Sequence, residues 1–257
     1  AMLDDEIRRW GMTNSEKRLI LSRIKGSSEY RDLSDCDIVI ETINSKKPGT
    51  SLELRKEIFK KIEEHVGRDT IITSNTAVLM ISDLAEGLHF PERAVGLHFM
   101  APTDKVKVLE VVRSAKTSES AYDTVCRFVR MLEKKPVRLQ ESPGNITTRM
   151  IVVMINEACE MLMEGIASIN DIDETMKSNL GFMFGPFELA DRVGLDKVMK
   201  WMDGLYNEFG EHNYKTSPII KRLVRANHLG KSTGQGFYKY DASGKVVGYS
   251  VTCPEFK

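Results

Sequence analysis

A single histidine and a nearby glutamate occupy neighbouring apolar runs, with a spacing suited to proton transfer. His98 ends the run at 94–98, and Glu110 follows within the run at 106–112. If both runs are adjacent strands, the carboxylate can lie beside the imidazole, fix its tautomer and raise its basicity. Without Glu110, a lone histidine would be better interpreted as a core residue bonded to backbone. The pair predicts a general base and its orienting carboxylate.

Two shorter polar motifs could hold a ligand near that histidine. Ser74, Asn75 and Thr76 follow another strand-like run, and the turn at 143–145 precedes a helix. The first motif can equally be turn chemistry, because these side chains bond their own backbone. The second would present free N–H groups and a field that favours negative charge. Its alternative interpretation is a hinge between two domains.

The elements around these residues alternate between strand and helix. Strands are predicted at 37–41, 70–74, 94–98, 106–112 and 137–139, and helices at 52–66, 80–88 and 118–132. Such alternation predicts a mostly parallel sheet with crossover helices, whose functional groups gather at the carboxyl ends of the strands. Glu41, Ser74 and His98 each end a predicted strand.

The pattern changes near residue 143 and becomes almost wholly helical. Helices are predicted at 148–164, 171–178, 187–192, 195–209 and 217–227. The first of these is apolar nearly all round, which indicates burial, in part against a second copy of the chain. We therefore expect two domains, an α/β domain over residues 1–142 and an all-α domain over residues 143–257.

Composition restricts the class of protein. Apolar residues make up 41% and charged residues 29%, and 37 basic side chains balance 37 acidic ones. This balance gives no reason to expect nucleic acid or a membrane as a partner, and no run approaches the ~20 apolar residues of a membrane span. Cys36, Cys126, Cys159 and Cys253 are too scattered for a zinc site or a disulfide framework. We expect no metal and a cytoplasmic location.

The amino-terminal region predicts helix over residues 3–25, interrupted near Gly11 and restarted by a capping box at Thr13 and Glu16. The first residue is not Met, and the chain begins without a helix N-cap. We expect a further segment to precede these residues in the gene product. The alternative is that Ala1 remains from cloning.

Four motifs follow one another in the order found in one enzyme family. They are Ser-Asn-Thr at 74–76, Gly-Leu-His-Phe-x-x-Pro at 96–102, Leu-Glu-Val-Val at 109–112 and Ser-Pro-Gly-x-Ile at 142–146. The carboxyl-terminal half adds Gly-Pro-Phe-Glu-Leu-Ala-Asp at 185–191 and Thr-Gly-x-Gly-Phe-Tyr at 233–238. Each motif is weak alone, but the ordered set resembles the L-3-hydroxyacyl-CoA and 3-hydroxybutyryl-CoA dehydrogenases.

The resemblance implies a Rossmann-type domain that binds NAD, followed by an all-α domain that binds substrate and dimerises. It implies oxidation of an L-3-hydroxyacyl-CoA to the 3-ketoacyl-CoA, or the reverse. His98 would take the hydroxyl proton and Glu110 would orient His98, while hydride passes to the nicotinamide. The implied residues are His98, Glu110 and Thr148 for catalysis, Glu41, Arg55 and Lys231 for the cofactor, and Ser74, Asn75 and Asn145 for the substrate.

Several positions depart from the family pattern. Ala77 stands where the family has a serine expected to bond the substrate oxygen, and Thr148 stands where it has an asparagine. Losing one such donor typically costs ~10²–10³ in rate, which Thr76, Thr148 or Asn145 could partly offset. The Phe, Asn and Lys of the pattern are replaced by Asn145, Ala101 and Ser232, and the loop around 47–49 is longer than usual.

The glycine-rich loop of such enzymes is missing from these residues. No Gly-x-Gly-x-x-Gly occurs among the 257 residues, so the motif that would place a pyrophosphate at a helix N-terminus is absent. The close glycines at 234 and 236 lack both the third glycine and the βαβ setting. We expect these residues alone to bind NAD weakly or not at all.

Three functions fit these observations. The favoured one is a 3-hydroxyacyl-CoA dehydrogenase, for which fatty-acid oxidation, butyrate-type fermentation and aromatic catabolism are all suitable pathways. The second is a dehydrogenase of a free 3-hydroxy acid, such as a sugar acid, which the changes at Ala77 and Ala101 would permit. The third is a dehydrogenase-like dimer with weak or no catalysis that serves as a structural or binding protein. The His98–Glu110 pair favours an enzyme, whereas Ala77 and Thr148 favour the third function.

Overall fold

The computed structural model describes residues 2–8, 11–43, 51–100, 103 and 106–251. Its amino-terminal half is a five-stranded sheet with helices on both faces. The strands are β1 (Ile38–Glu41), β2 (Ile71–Ser74), β3 (Ala94–His98), β4 (Val108–Arg113) and β5 (Lys135–Gln140). The helices are α1 (Met2–Arg8), α2 (Asn14–Ser22), α3 (Ser51–Glu63), α4 (Ile81–Leu84) and α5 (Glu119–Met131).

The strands lie in chain order across the sheet, and the direction reverses once. β1, β2 and β3 are parallel, β4 is antiparallel to β3, and β5 is parallel to β4. The expected mostly parallel, Rossmann-like sheet is therefore present with one reversal. A parallel pair needs a crossover of about a dozen residues or more, and the stretch between β3 and β4 is shorter than that. The reversal brings the end of β3 beside the start of β4.

Alternating side chains of the strands supply two separate cores. On one face, α3 and α4 pack with Phe59 and Leu84 over Ile72 and Ala94. On the other face, α5 covers a set that includes Val95, Leu97 and Leu109. Gly96 lies between these positions, where a Cβ would approach Val112 to 2.8 Å and Ile81 to 3.2 Å. The glycine therefore lets α4 lie close against β3.

The amino-terminal helices are shorter than the predicted segment. The capping box at the start of α2 is confirmed, because Thr13 accepts from the Glu16 N–H and Glu16 accepts from the Thr13 N–H. No residue of α2 is buried, and its exposed side chains include Leu19 and Leu21. These two helices contribute little to the sheet domain that positions the candidate site.

The carboxyl-terminal half is helical and ends in a small hairpin. Its elements are α6 (Thr147–Met163), α7 (Ile169–Leu180), α8 (Pro186–Val193), α9 (Leu195–Phe209), α10 (Pro218–Arg225), β6 (Tyr238–Tyr240) and β7 (Val246–Tyr249). The predicted domain boundary at residue 143 falls between the end of β5 and the start of α6. The all-α prediction omits the hairpin, because strands of three or four residues have too few positions to show alternation.

Helix α6 is buried on one side only within this chain. Val152, Ile155, Cys159 and Leu162 are buried against the other helices of this half. The opposite side is exposed, and Met150 at its start has 70% of its surface accessible. The predicted burial is therefore present on one side, and burial of the other side against a second copy of the chain stays a prediction. Across all the described helices, none has both the length and the apolar character needed to cross a bilayer.

Two buried aspartates join the two motifs of the helical half. Asp173 accepts from the N–H groups of Phe187 and Glu188 and from the Tyr238 hydroxyl. Asp191 accepts from the N–H groups of Phe237 and Tyr238 and from the Tyr240 hydroxyl. The two motifs at 185–191 and 233–238 thus have a structural role, because these carboxylates satisfy buried donors of separate segments.

Glycines in both motifs make this arrangement possible. A Cβ at Gly185 would lie 2.3 Å from Cγ of Asp173, and one at Gly236 would lie 2.0 Å from Oδ1 of Asp191. Both distances are far inside van der Waals contact, so these positions accept glycine alone without rearrangement. Burial raises the pKa of Asp191 to about 6, although the N–H groups of Tyr238 and Phe237 act in the opposite direction.

We predict that Asp191→Asn destabilises the fold. An amide nitrogen must then face one of the buried N–H or hydroxyl donors, and a buried donor without an acceptor costs about 1–3 kcal/mol. Urea unfolding at pH 8, where Asp191 is ionised, should give a free energy of unfolding lower by roughly 2 kcal/mol. Asp69→Asn, at an exposed position, is the matched control and should be neutral. Equal stability of Asp191→Asn and wild type would contradict this role of the carboxylate.

Candidate active site

His98 and Glu110 form the centre of the candidate site. His98 is the last residue of β3, and Glu110 lies directly opposite it on β4. Both residues are buried, and imidazole Nδ1 lies 2.7 Å from carboxylate Oε2. The predicted contact is present because the antiparallel register makes the two residues a cross-strand pair.

The second oxygen of Glu110 is bound by the start of helix α6. Oε1 accepts from the Thr147 N–H at 2.9 Å, from the Thr147 hydroxyl at 2.9 Å and from the Ile146 N–H at 3.2 Å. These N–H groups have no partner within the helix, and the helix field there favours an anion. Burial by itself would raise the pKa of Glu110, but the hydrogen bonds from His98 and Thr147 outweigh it and lower that pKa.

This arrangement determines the tautomer of His98. A carboxylate can only accept hydrogen bonds, so the hydrogen of a neutral imidazole lies on Nδ1. Nε2 then carries the free lone pair and makes no hydrogen bond with any residue that the structure describes. The buried negative charge of Glu110 favours the imidazolium that forms when Nε2 accepts a proton. The pair can therefore act as a general base toward a hydroxyl group placed at Nε2.

Thr147 and Thr148 have different environments although they are adjacent. Thr147 is not among the residues that the sequence predicts, yet it supplies two of the three donors to Oε1 of Glu110. The available signal was a hydroxyl residue in the first helical turn after Pro143-Gly144. Thr148, a predicted catalytic residue, is fully buried, and its hydroxyl has no partner among the described residues. Such a group can bond a ligand that reaches it.

Glu41, Arg55 and Ser74 form a closed polar cluster at the ends of β1 and β2. Arg55 donates to Glu41 Oε2 and to the Ser74 hydroxyl, each at 2.9 Å, and to the Ile43 carbonyl at 2.6 Å. Ser74 also donates to Glu41 at 2.6 Å. All three side chains are buried. Burial lowers the pKa of the Arg55 guanidinium, and the charge of Glu41 acts against that shift. The structure brings two predicted cofactor residues and one predicted substrate residue together, bonded to one another.

Asn75 and Asn145 shape the backbone around His98. The Asn75 side-chain oxygen accepts from the Phe99 N–H at 3.0 Å. The backbone N–H of Asn75 donates to the Glu41 carbonyl at 2.8 Å. Asn75 therefore ties the residue after His98 to the end of β1. Asn145 has φ of +48° and follows Gly144 with φ of +82°, a left-handed pair that asparagine and glycine tolerate. This turn directs the start of α6 toward Glu110.

The remaining predicted residues lie elsewhere or outside the described chain. Lys231 is in the helical half, where its ammonium lies 5.2 Å from the centre of the Tyr240 ring. Ala77 is half-buried after β2 and adds no side-chain donor. Ala101 and the loop at 47–49 lie outside the described residues. No group of His, Cys, Asp or Glu in the described ranges could hold a metal ion.

The site lies where the two halves of the chain meet. Besides the Glu110–Thr147 bonds, Val78 packs against α9, where a Cβ on Gly204 would approach its Cγ1 to 2.9 Å. Each side of this junction is also packed within itself. In the helical half, a Cβ on Gly144 would approach Leu205 of α9 to 2.7 Å, and in the sheet half Ser82 hydrogen-bonds Glu141 through both its N–H and its hydroxyl. The sheet supplies the base, and the helical half completes its surroundings.

Known proteins match both halves of this chain. The family model described as the NAD binding domain of 3-hydroxyacyl-CoA dehydrogenase matches residues 1–142, and the model of the C-terminal domain matches residues 144–240. A 3-hydroxybutyryl-CoA dehydrogenase from Clostridioides difficile is 37% identical over 225 residues, which are 88% of this chain and 78% of the relative.

Two further comparisons agree. A probable 3-hydroxyacyl-CoA dehydrogenase from Caenorhabditis elegans is 39% identical over 224 residues, which are 86% of this chain and 74% of the relative. The crystal structure of an (S)-3-hydroxybutyryl-CoA dehydrogenase from Ralstonia eutropha has a TM-score of 0.84 at 37% identity, covering 93% of this chain and 83% of that one. Because family models match both halves and these relatives cover most of the chain, it belongs to the 3-hydroxyacyl-CoA dehydrogenase family.

Proposed function

We propose that this protein oxidises an L-3-hydroxyacyl-CoA to the 3-ketoacyl-CoA with NAD, or catalyses the reverse reaction. The observation that carries the proposal is the buried His98–Glu110 pair, with Nδ1 bonded to the carboxylate and Nε2 left to accept a proton. An isolated core histidine would not need a buried anion whose second oxygen is also fully engaged. The family membership makes an NAD-dependent oxidoreductase the matching enzyme class.

The residues would act on the substrate hydroxyl. His98 Nε2 accepts the proton of the 3-hydroxyl group, and the proton on Nδ1 stays in its bond to Glu110. The carboxylate stabilises the resulting imidazolium because it lies 2.7 Å away in a site with little solvent. In the reverse direction the same imidazolium returns its proton to the oxygen. NAD, when bound, supplies the hydride acceptor.

The carboxyl ends of β1 and β2 are compatible with that cofactor. Ligands of open α/β sheets bind outside the carboxyl ends of the strands. Arg55 neutralises Glu41 there, so the pair places no net negative charge opposite a phosphate. Contacts from Glu41, Arg55 and Lys231 to NAD remain predictions, and Lys231 would have to leave the Tyr240 ring to make one. The pyrophosphate contacts are not assigned, because the glycine-rich loop is absent from the sequence.

For the substrate, we assign the free hydroxyl of Thr148 as a donor to the reacting oxygen. The hydroxyl is buried and unpartnered, and it belongs to the residue next to the Glu110 anchor. It would offset the donor that Ala77 lacks. Ser74, Asn75 and Asn145 also remain predicted substrate residues. The first two already bond Glu41 and Phe99, which suits residues that shape the walls of a site.

We predict that His98→Asn in the full-length gene product abolishes turnover. NADH consumption with acetoacetyl-CoA should fall by ~10²–10⁴, the range that a positioned acid or base contributes. His89→Asn is the control, because that imidazole is largely exposed at a distant surface. Full activity of His98→Asn would refute the proposal. Wild-type protein that reduces a free 3-oxo acid but not acetoacetyl-CoA would favour the 3-hydroxy acid alternative, and inactivity toward both would favour a binding protein.

We also infer that the helical half forms a homodimer. Several large apolar side chains of this half are exposed, namely Met150, Met163, Ile166, Leu180, Phe182 and Met183. Large exposed apolar surfaces are uncommon in monomeric proteins and mark protein interfaces, so this concentration of exposed apolar side chains in one half favours an interface there. A second copy of the chain is the partner that covers them most simply, since most soluble oligomers are homo-oligomers.

Three cysteines in the described ranges are free thiols, which supports a reducing, cytoplasmic compartment.

We predict that Met150→Glu weakens this dimer. A carboxylate at a position that is 70% exposed in the single chain should be harmless to the fold, but burying it in an interface is costly. Light scattering should show dimeric wild type and a dissociation constant at least about tenfold higher for the variant. Met131→Glu, at a position that is 80% exposed on α5 of the sheet half, should remain dimeric. A monomeric wild type, or an unaffected Met150→Glu dimer, would contradict this interface.

A further inference from the structure

We propose that the Thr147 hydroxyl is a positioning group for the base, acting on His98 through Glu110. This inference rests on the proposed function, since it concerns how the same base is held. Thr147 lies in the helical half, whereas His98 and Glu110 lie in the sheet. The orientation of the base therefore depends on a side chain that never contacts it.

The two oxygens of Glu110 have separate tasks. Oε2 faces Nδ1 of His98, and Oε1 faces three donors at the start of α6. A carboxylate can rotate about its last side-chain bond, so the direction of Oε2 depends on what holds Oε1. The two N–H groups come from consecutive peptides, and the hydroxyl approaches as a third donor at 2.9 Å. With all three in place, one orientation of the carboxylate is favoured.

Other ionisable groups do not provide this control. Within the described part of the chain, His98 pairs with Glu110 alone. Arg149, on the same helix as Thr147, is instead bonded to Ser142 and Tyr214 and lies over the Phe209 ring. On β4, the strand that carries Glu110, Arg113 is paired with Glu119. The orientation of Glu110 is thus determined by the start of α6 and by His98.

The adjacent threonines provide a sharp comparison. Thr147→Val removes the hydroxyl but keeps the shape and both N–H groups, whereas Thr147→Ser keeps the hydroxyl. Thr148→Val removes a hydroxyl that bonds no described residue. If Thr147 positions the base, its loss changes His98 itself. Loss of the Thr148 hydroxyl changes only the hydrogen bond to the reacting oxygen of the substrate. Thr175→Val, on the exposed side of α7, controls for the substitution alone.

The first test is nuclear magnetic resonance of His98, which needs no substrate, cofactor or turnover. In the 257-residue chain labelled at histidine nitrogen, wild type should show a protected Nδ1–H resonance and the Nδ1-protonated tautomer. Thr147→Val should broaden or shift that resonance. Thr147→Ser, Thr148→Val and Thr175→Val should match the wild type. A Thr147→Val spectrum identical to wild type overturns the proposal, and so does a Thr147→Ser spectrum as altered as that of Thr147→Val.

The second test is kinetic and uses the full-length gene product. Thr147→Val should lower kcat about tenfold, the scale of one hydrogen bond to a charged group, with KM changed less than about twofold, as expected when only transition-state stabilisation is lost. An unchanged kcat overturns the proposal. If Thr147→Val does not fold, Thr147→Ala replaces it in both tests.

The two proposals can fail separately. Wild type that is inactive toward acyl-CoA and hydroxy-acid substrates, but whose His98 resonance responds to Thr147→Val, would refute the dehydrogenase and support the positioning role. Active wild type whose His98 ignores Thr147 would do the opposite.

Discussion

The carboxylate of Glu110 is the interaction on which the candidate site depends. One oxygen belongs to the sheet, through His98, and the other belongs to the helical half, through the start of α6. Four hydrogen bonds reach this buried anion, and without them burial alone would favour the neutral acid. The same bonds that keep Glu110 ionised also attach the two halves to each other. The charge that serves the base is therefore maintained by the architecture as a whole.

A second pair of carboxylates organises the helical half on the same principle. Asp173 and Asp191 each accept three hydrogen bonds from segments distant in the chain. Each carboxylate is approached by a glycine, Gly185 or Gly236, with no room for a side chain. The motifs at 185–191 and 233–238 thus have a structural purpose here. They hold the hairpin against α8, and α8 packs against α6, the helix that carries Thr147.

Much of the fold could be predicted from the sequence, because its strands are short apolar runs and its helices carry caps. β3 matches its predicted limits, and the His98–Glu110 contact follows once the two strands are adjacent. The connection between β3 and β4 is too short for a parallel crossover, so their antiparallel direction could have been predicted from its length. The alternation of strands and helices favoured a parallel pair instead.

The polar contacts of the site were harder to predict. Backbone N–H groups bind Glu110, and peptide donors leave no trace in residue identity. The closed cluster of Glu41, Arg55 and Ser74 depends on three segments meeting at one edge of the sheet. Charged residues there resemble ligand contacts in sequence, yet in the structure they satisfy one another. Distinguishing the two cases requires distances.

The peptide character of the Glu110 anchor has an evolutionary consequence. Because the N–H groups at positions 146 and 147 would remain with nearly any side chain, mutation at these positions can change the third donor without releasing the carboxylate. In this chain a single substitution at position 147 can therefore change how the carboxylate is held while the two N–H groups still bind it. A side-chain anchor would offer no such tolerance. At the junction between the halves, the backbone N–H groups are therefore the fixed part of the anchor, and the side chain at position 147 is the part that can change.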